Sequence, residues 1–219
     1  MALVTDAKVL KNLIFNNECD FVSLGHNCDV AYFLRYNGIR KAAYPFDWCL
    51  TPAATVISLF ENEFDDFVNI KNFSFSQPHL AAYFEGENKH IVEMDKIVIS
   101  GHCEKYSMTF PHDFPINSKE SYDEVSVKYN TRAARLMELV RSNNKVFFIY
   151  NYEDSLEEVF LLENINRVVN DKNPSLEFYI ASLKTLENAF LSNFKYKALR
   201  FLNKKQQQIS NIKNKFLLS

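Results

Sequence analysis

Three consecutive segments near the C-terminal end narrow the fold more than anything else in the chain. Lys145-Val146-Phe147-Phe148-Ile149-Tyr150 reads as a strand, residues 155–170 carry helical spacing, and Leu176-Glu177-Phe178-Tyr179-Ile180 reads as a second strand. Strand, helix and strand in that order make a βαβ unit, with both strands parallel in one sheet and a right-handed crossover. A parallel sheet is covered on both faces, so its strands read as unbroken apolar runs. The alternation predicts a layered α/β fold with a mostly parallel sheet.

The rest of the chain fits around that unit. Residues 20–24, Asp20-Phe21-Val22-Ser23-Leu24, form a buried strand pattern feeding a helix over 28–36, with Asn27 as N-cap and Asn37-Gly38 as the stop. Tyr44-Pro45-Phe46-Asp47-Trp48 is a rigid aromatic loop. Thr51-Pro52 then opens a helix to about residue 61, with Val56, Leu59 and Phe60 on one face. The Phe-rich middle suggests strands near 81–85, 90–94, 96–100 and 106–110, a short antiparallel insertion. A long helix over 118–141 repeats Tyr122, Val125, Tyr129, Ala133, Leu136 and Val140 at helical spacing. Residues 196–201 are compatible with one more strand. The expected organisation is a single α/β domain over 1–202, followed by a polar, basic helix or tail over 203–219.

Composition excludes several classes. With 219 residues, 47% hydrophobic and 20 Phe, the chain can bury a large core, and only 4 Gly and 6 Pro argue against a loop-built all-β protein. A net charge of -2 gives no general attraction to nucleic acid or acidic membranes, so no nucleic-acid partner is expected. The basic stretch with Lys195, Lys197, Arg200, Lys204, Lys205, Lys213 and Lys215 reads most simply as a solvated terminal helix. Cys19, Cys28, Cys49 and Cys103 are too widely spaced for the disulfide framework of a small secreted domain. No leader-like apolar stretch opens the chain, and no run approaches the ~18 apolar residues of a membrane span. A cytoplasmic protein is expected.

Chemistry concentrates at Ser23-Leu24-Gly25-His26-Asn27-Cys28. A cysteine at a helix N-terminus meets unpaired amides and the positive dipole end, which favour a thiolate. Ser23, Gly25 and the amides at Asn27 and Cys28 could line an oxyanion hole. A thiol nucleophile needs a base and an orienting group. Among five histidines His112 stands out, at the end of an apolar run and followed by Asp113. His112-Asp113 reads either as a catalytic base with its neighbouring acid or as a polar turn before the long helix. Asp47, held between aromatics, either orients the imidazole or caps its own turn. Arg132 and Arg35 are candidate counter-charges for an anion. The pairs His26-x-Cys28 and His102-Cys103 lack the spacing of a zinc site, and no GxGxxG, P-loop, HExxH or GxSxG motif is present, so no metal or cofactor is expected.

The motifs Ser23-Leu24-Gly25-x-Asn27-Cys28, Ala31-Tyr32-x-Leu34-Arg35, Gly38-Ile39-Arg40, Tyr44-Pro45-Phe46-Asp47-Trp48, Pro111-His112-Asp113-Phe114 and Tyr129-Asn130-x-Arg132 resemble an uncharacterised family described as papain-like cysteine peptidases. The resemblance extends over roughly residues 18–200. It implies Cys28 as nucleophile and His112 as base, acting on a peptide or a small acyl or amide substrate. It also raises a papain-like α+β arrangement as the alternative fold. The rival function is a non-catalytic domain holding an anionic or sugar ligand at the helix N-terminus. A third is a structural partner domain using the Phe-rich middle as a contact surface.

Overall fold

The computed structural model describes residues 2–15, 19–85, 92–115, 119–152 and 154–191. The expected strand at 196–201, the boundary at 202 and the basic tail lie outside the described residues. In chain order the elements are β1 (Ala2–Leu3), α1 (Ala7–Phe15), β2 (Cys19–Ser23), α2 (Asp29–Tyr36), α3 (Ala53–Glu61), β3 (Phe73–Phe75), β4 (His79–Glu85) and β5 (Val92–Cys103). They continue with β6 (Met108–Pro115), α4 (Lys119–Arg141), β7 (Lys145–Tyr150), α5 (Ser155–Lys172), β8 (Phe178–Ser182) and α6 (Leu183–Leu191).

The βαβ unit read from the sequence is β7-α5-β8. It forms the middle of a four-stranded sheet in the order β1-β8-β7-β2, with all three pairings parallel. Successive side chains of a strand point to opposite faces, and β7 follows this strictly. Val146, Phe148 and Tyr150 enter one core with residues of α3, α4 and α5. Phe147 and Ile149 enter a second core with α1, α2 and α6. Both faces of the strand are therefore apolar, which is why its sequence does not alternate. Burying Phe147 and Phe148 completely stabilises the fold by about 1.5–3 kcal/mol each, relative to exposure.

The crossover from β2 to β7 contains a second, antiparallel sheet. β5 is its spine, pairing with β3, β4 and β6. The two strands expected at 90–94 and 96–100 are this one long strand. The strand expected at 106–110 begins at Met108, after a short 3-10 turn, and runs on through Pro115. His112-Asp113 thus belongs to a strand and not to a turn. The β5–β6 register shifts between Ile99 and Gly101, an irregularity that accommodates Pro111 in a strand and redirects neighbouring side chains.

The aromatic wealth of the middle is spent inward. Phe67, Phe110 and Phe114 are buried. Phe110 meets Tyr129 edge-on at 4.7 Å and Phe73 at 5.4 Å. These rings join the insertion to α4 as core, while Phe75 remains exposed.

Candidate active site

Ligand and reaction sites of open α/β sheets lie at the carboxyl ends of the strands. Here β2 and β7 end side by side, and the turn after β2 carries Cys28. Leu24 extends the ladder through its N–H to Ile149 O at 2.8 Å. Gly25 then turns the chain at φ +86°, followed by His26 at φ +75°. A Cβ at Gly25 would lie 2.9 Å from Thr51 Cβ, so only glycine fits. The close approach lets the His26 amide donate to Thr51 O at 3.2 Å and the Thr51 amide donate to His26 O at 3.3 Å. The Tyr152 hydroxyl lies 2.9 Å from Thr51 O and 3.3 Å from Leu24 O, within donating distance of both. The loops before α2 and before α3 are thus joined.

Cys28 is itself the residue preceding the first helical position, one later than the expected cap. Asn27 and Asp29 clasp each other around it. Asn27 Oδ1 accepts from the Asp29 amide at 3.0 Å, and Asn27 Nδ2 donates to Asp29 Oδ2 at 2.8 Å. From the end of β7, Asn151 Nδ2 donates to Asp29 Oδ2 at 3.2 Å and to Asn27 Oδ1 at 3.4 Å. At the other end, Ile39 N bonds Leu34 O and Gly38 N bonds Arg35 O, the paired C-terminal closure that the Asn37-Gly38 signal implied.

This geometry narrows the candidate oxyanion hole. The Gly25 amide donates to Ser23 Oγ at 3.2 Å, and Ser23 is fully buried, so both brace the loop from inside. The His26 amide is committed to Thr51. Among the described residues, the amides of Asn27 and Cys28 carry no intramolecular hydrogen bond.

Asp47 and Asp113 are both buried, and each has cationic company. Asp47 Oδ2 lies 2.7 Å from Arg40 Nη2 and accepts from the Tyr44 amide at 2.9 Å. The Arg40 guanidinium also sits over the Trp48 ring at 5.4 Å. Asp113 accepts from Lys128 Nζ and, at 2.6 Å, from the Tyr129 hydroxyl. Tyr129 in turn accepts from Cys49 Sγ at 3.5 Å, and Arg132 lies over its ring at 5.0 Å. Neither carboxylate is hydrogen-bonded to His112 among the described residues. Asp47 braces the aromatic loop against Arg40 and the Tyr44 amide, and Asp113 ties β6 to the middle of α4.

The charge balance at the thiol differs from the local expectation. Of the four cysteines Cys28 alone is not buried. Nevertheless, partial burial and then the carboxylates of Asp113, Asp29 and Asp47 push its thiol up to about 12. The dipole of an eight-residue helix is outweighed, and Asp29 sits in that helix's first turn. Cys28 therefore rests as a thiol. Burial pushes the His112 imidazole below its ordinary 6.5, against the opposing pull of Asp113, so at neutral pH it rests uncharged. No hydrogen bond joins Cys28 to His112 among the described residues.

The two arginines considered from sequence as anion-binding residues occupy different surroundings. Arg132 is buried beside Asp113 and Tyr129. Arg35 lies in the last turn of α2, over the Tyr36 ring at 5.9 Å. An open cleft of about 640 Å³ is lined by Phe64, Ala133, Met137, Glu63 and Arg141 among others, and by no candidate catalytic residue. No helix among the described residues is long and apolar enough to cross a membrane.

Sequence reasoning overlooked Lys128 and Asn151, and gave Arg40 and Thr51, though named, no role at the site. Asn151 had a signal, its position immediately after an apolar strand at the sheet's carboxyl edge. Comparison with known proteins bears on the whole arrangement. An uncharacterised protein of Acanthamoeba polyphaga mimivirus is 30% identical over 185 residues, covering 73% of this chain and 80% of its own length. No solved structure matches the chain. Residues 19–208, from the first residue of β2 onward, match the model of a family described as "putative papain-like cysteine peptidase", and the chain belongs to that family.

Proposed function

We propose that the protein is a cysteine-dependent hydrolase of an amide or thioester bond, with Cys28 as nucleophile and His112 as general base. The observation that carries this reading is the setting of Cys28. It is the one cysteine that is not buried, at the carboxyl edge of the parallel sheet, and its own amide and that of Asn27 are uncommitted among the described residues. Family membership supports the same chemistry.

A thiol near 12 and an imidazole below 6.5 together favour the neutral pair over thiolate and imidazolium. The gap is worth at least about 7 kcal/mol. The proton therefore leaves during attack. As Sγ bonds the substrate carbonyl carbon, the thiol proton passes to His112, and the oxyanion accepts from the amides of Asn27 and Cys28. Collapse breaks the C–N or C–S bond, and His112 returns the proton to the leaving group. Water then adds to the thioester by the same proton route and releases a carboxylic acid and the Cys28 thiol. This mechanism requires His112 to reach Cys28 once substrate is bound, as catalytic hydrogen bonds tighten in the substrate complex.

The test is turnover of a panel of peptide thioesters and peptidyl aminocoumarin amides by the purified chain. Cys28→Ala should abolish release, and His112→Ala should reduce it at least about 100-fold with the fold intact. Release that survives Cys28→Ala, or that changes less than about threefold in His112→Ala, removes the corresponding role.

A further inference from the structure

We infer that Asn151 is a positioning residue for the oxyanion-binding amides, acting on acyl transfer to Cys28 and not on the ionisation of its thiol. The inference rests on the reading of Cys28 as nucleophile. Two of the hydrogen bonds around the thiol, Asn27 Nδ2 to Asp29 Oδ2 and the Asp29 amide to Asn27 Oδ1, lie within the turn. They hold its shape but move with it as a unit. What fixes the turn in space is its attachment to neighbouring elements.

On one side it is attached through His26 and Thr51, whose backbones exchange two hydrogen bonds. On the other side the link is Asn151, which donates to the side chains of both residues flanking Cys28. Asn151 follows Tyr150 directly, and β7 is in register with β2 from Cys19↔Lys145 to Ser23↔Ile149. The carboxamide therefore ties the turn to the same sheet edge from which β2 launches it. The atoms bracketed by these contacts are the two uncommitted amides, at Asn27 and Cys28.

Displacing a reacting group by about 1 Å costs roughly 100-fold in rate, and losing an oxyanion donor costs about 100- to 1000-fold. Loosening donors that remain present belongs near the lower end of that range. Alkylation by iodoacetamide needs only the thiolate of Cys28. Acylation by p-nitrophenyl acetate needs in addition a stabilised oxyanion, because Sγ bonds the acetyl carbon, the ester C–O bond breaks, p-nitrophenolate departs and His112 takes the thiol proton.

The two reactions are compared across pH 6 to 10 for the full chain and for Asn151→Ala, Asn151→Gln and Cys28→Ala, with the modified residue identified by mass spectrometry. Asn151→Ala should slow acylation about tenfold or more while alkylation stays within about twofold and keeps its pH profile. Asn151→Gln, which restores the carboxamide, should recover much of the loss. Equal slowing of both reactions, or no slowing of either, overturns the assignment to Asn151 while leaving Cys28 as nucleophile. A wild-type chain that gains no acetyl group on Cys28 overturns the nucleophile itself and this inference with it.

Discussion

Replacing Asp29 by asparagine removes one of the three carboxylates that keep the Cys28 thiol protonated. The amide oxygen can still accept from Asn27 and Asn151, so the turn is preserved. In the wild-type chain a thiol near 12, against an ordinary 9.0, holds a thiolate population about a thousandfold smaller at pH 8. A more basic thiolate is more nucleophilic, which offsets this by roughly 20-fold. Cys28 should therefore react with iodoacetamide about 50-fold more slowly than an unhindered cysteine. Asp29 is solvent-exposed, and an exposed charge contributes about 0.2–1 kcal/mol. With the same loss of nucleophilicity counted, Asp29→Asn should speed alkylation about 1.2- to 2.5-fold at fixed pH. The assay follows alkylation of the Cys28 peptide by mass spectrometry from pH 7 to 11, with buried Cys19, Cys49 and Cys103 as internal contrasts. The logarithm of the wild-type rate should climb with unit slope to beyond pH 10, and Asp29→Asn should run parallel above it. A wild-type plateau below pH 9, or a variant no faster than wild type, would refute the electrostatic argument.

Two further outcomes probe the frame around the site. Arg40→Ala leaves the Asp47 carboxylate buried without its cation and should cost about 3–5 kcal/mol in urea unfolding. Combining Arg40→Met with Asp47→Asn should recover most of that, and a single-variant cost below about 1 kcal/mol would mean the pair does not hold the aromatic loop. The acid limb of stability should fall in two stages. A half-buried His112 lowered from 6.5 contributes stability that is complete above pH 6.5 and declines as pH falls below it, because the unfolded chain takes the proton first. Asp113, lowered from 3.8 despite its burial by Lys128, Arg132 and the Tyr129 hydroxyl, contributes stability lost only as pH falls below 3.8. His112→Gln should flatten the first stage in melting temperatures between pH 7.5 and 5 and leave the second. Indistinguishable slopes for variant and wild type would contradict the half-buried imidazole.

The parts of the fold legible in the sequence were those fixed by local pattern. β7 matches its expected bounds because a strand covered on both faces is apolar throughout, and α5 carries an unmistakable helical period. α6 was missed because it begins directly after β8 with no loop. Its start is marked only by Ser182, whose Oγ accepts from the Thr185 amide at 3.3 Å. β1 has two residues and lies below the reach of any periodicity. At the site, the thiol turn was legible through Gly25, Asn27 and the helix that follows. The partners of Asp47 and Asp113 were not, because nothing local says which acid meets which base across distant segments. The same limit explains the thiol's charge state. The helix dipole can be read from neighbouring residues, whereas the largest opposing charge, Asp113, comes from a strand far along the chain.

The pairing of β2 with β7 also sets when the site can exist. In the sheet order β1-β8-β7-β2, β2 is an edge strand whose ladder partner among the described residues is β7. The thiol turn hangs from β2, and its ties to Tyr152 and Asn151 wait on the same distant segment. Such long-range pairing closes slowly because a large loop must be ordered before any contact offsets its entropy. On the ribosome, Cys28 emerges more than 100 residues ahead of β7 and stays without its scaffold until that strand follows. Thiol and framework thus come together only once β7 has been made, and a chain truncated before β7 would carry the cysteine without the strand that braces its turn.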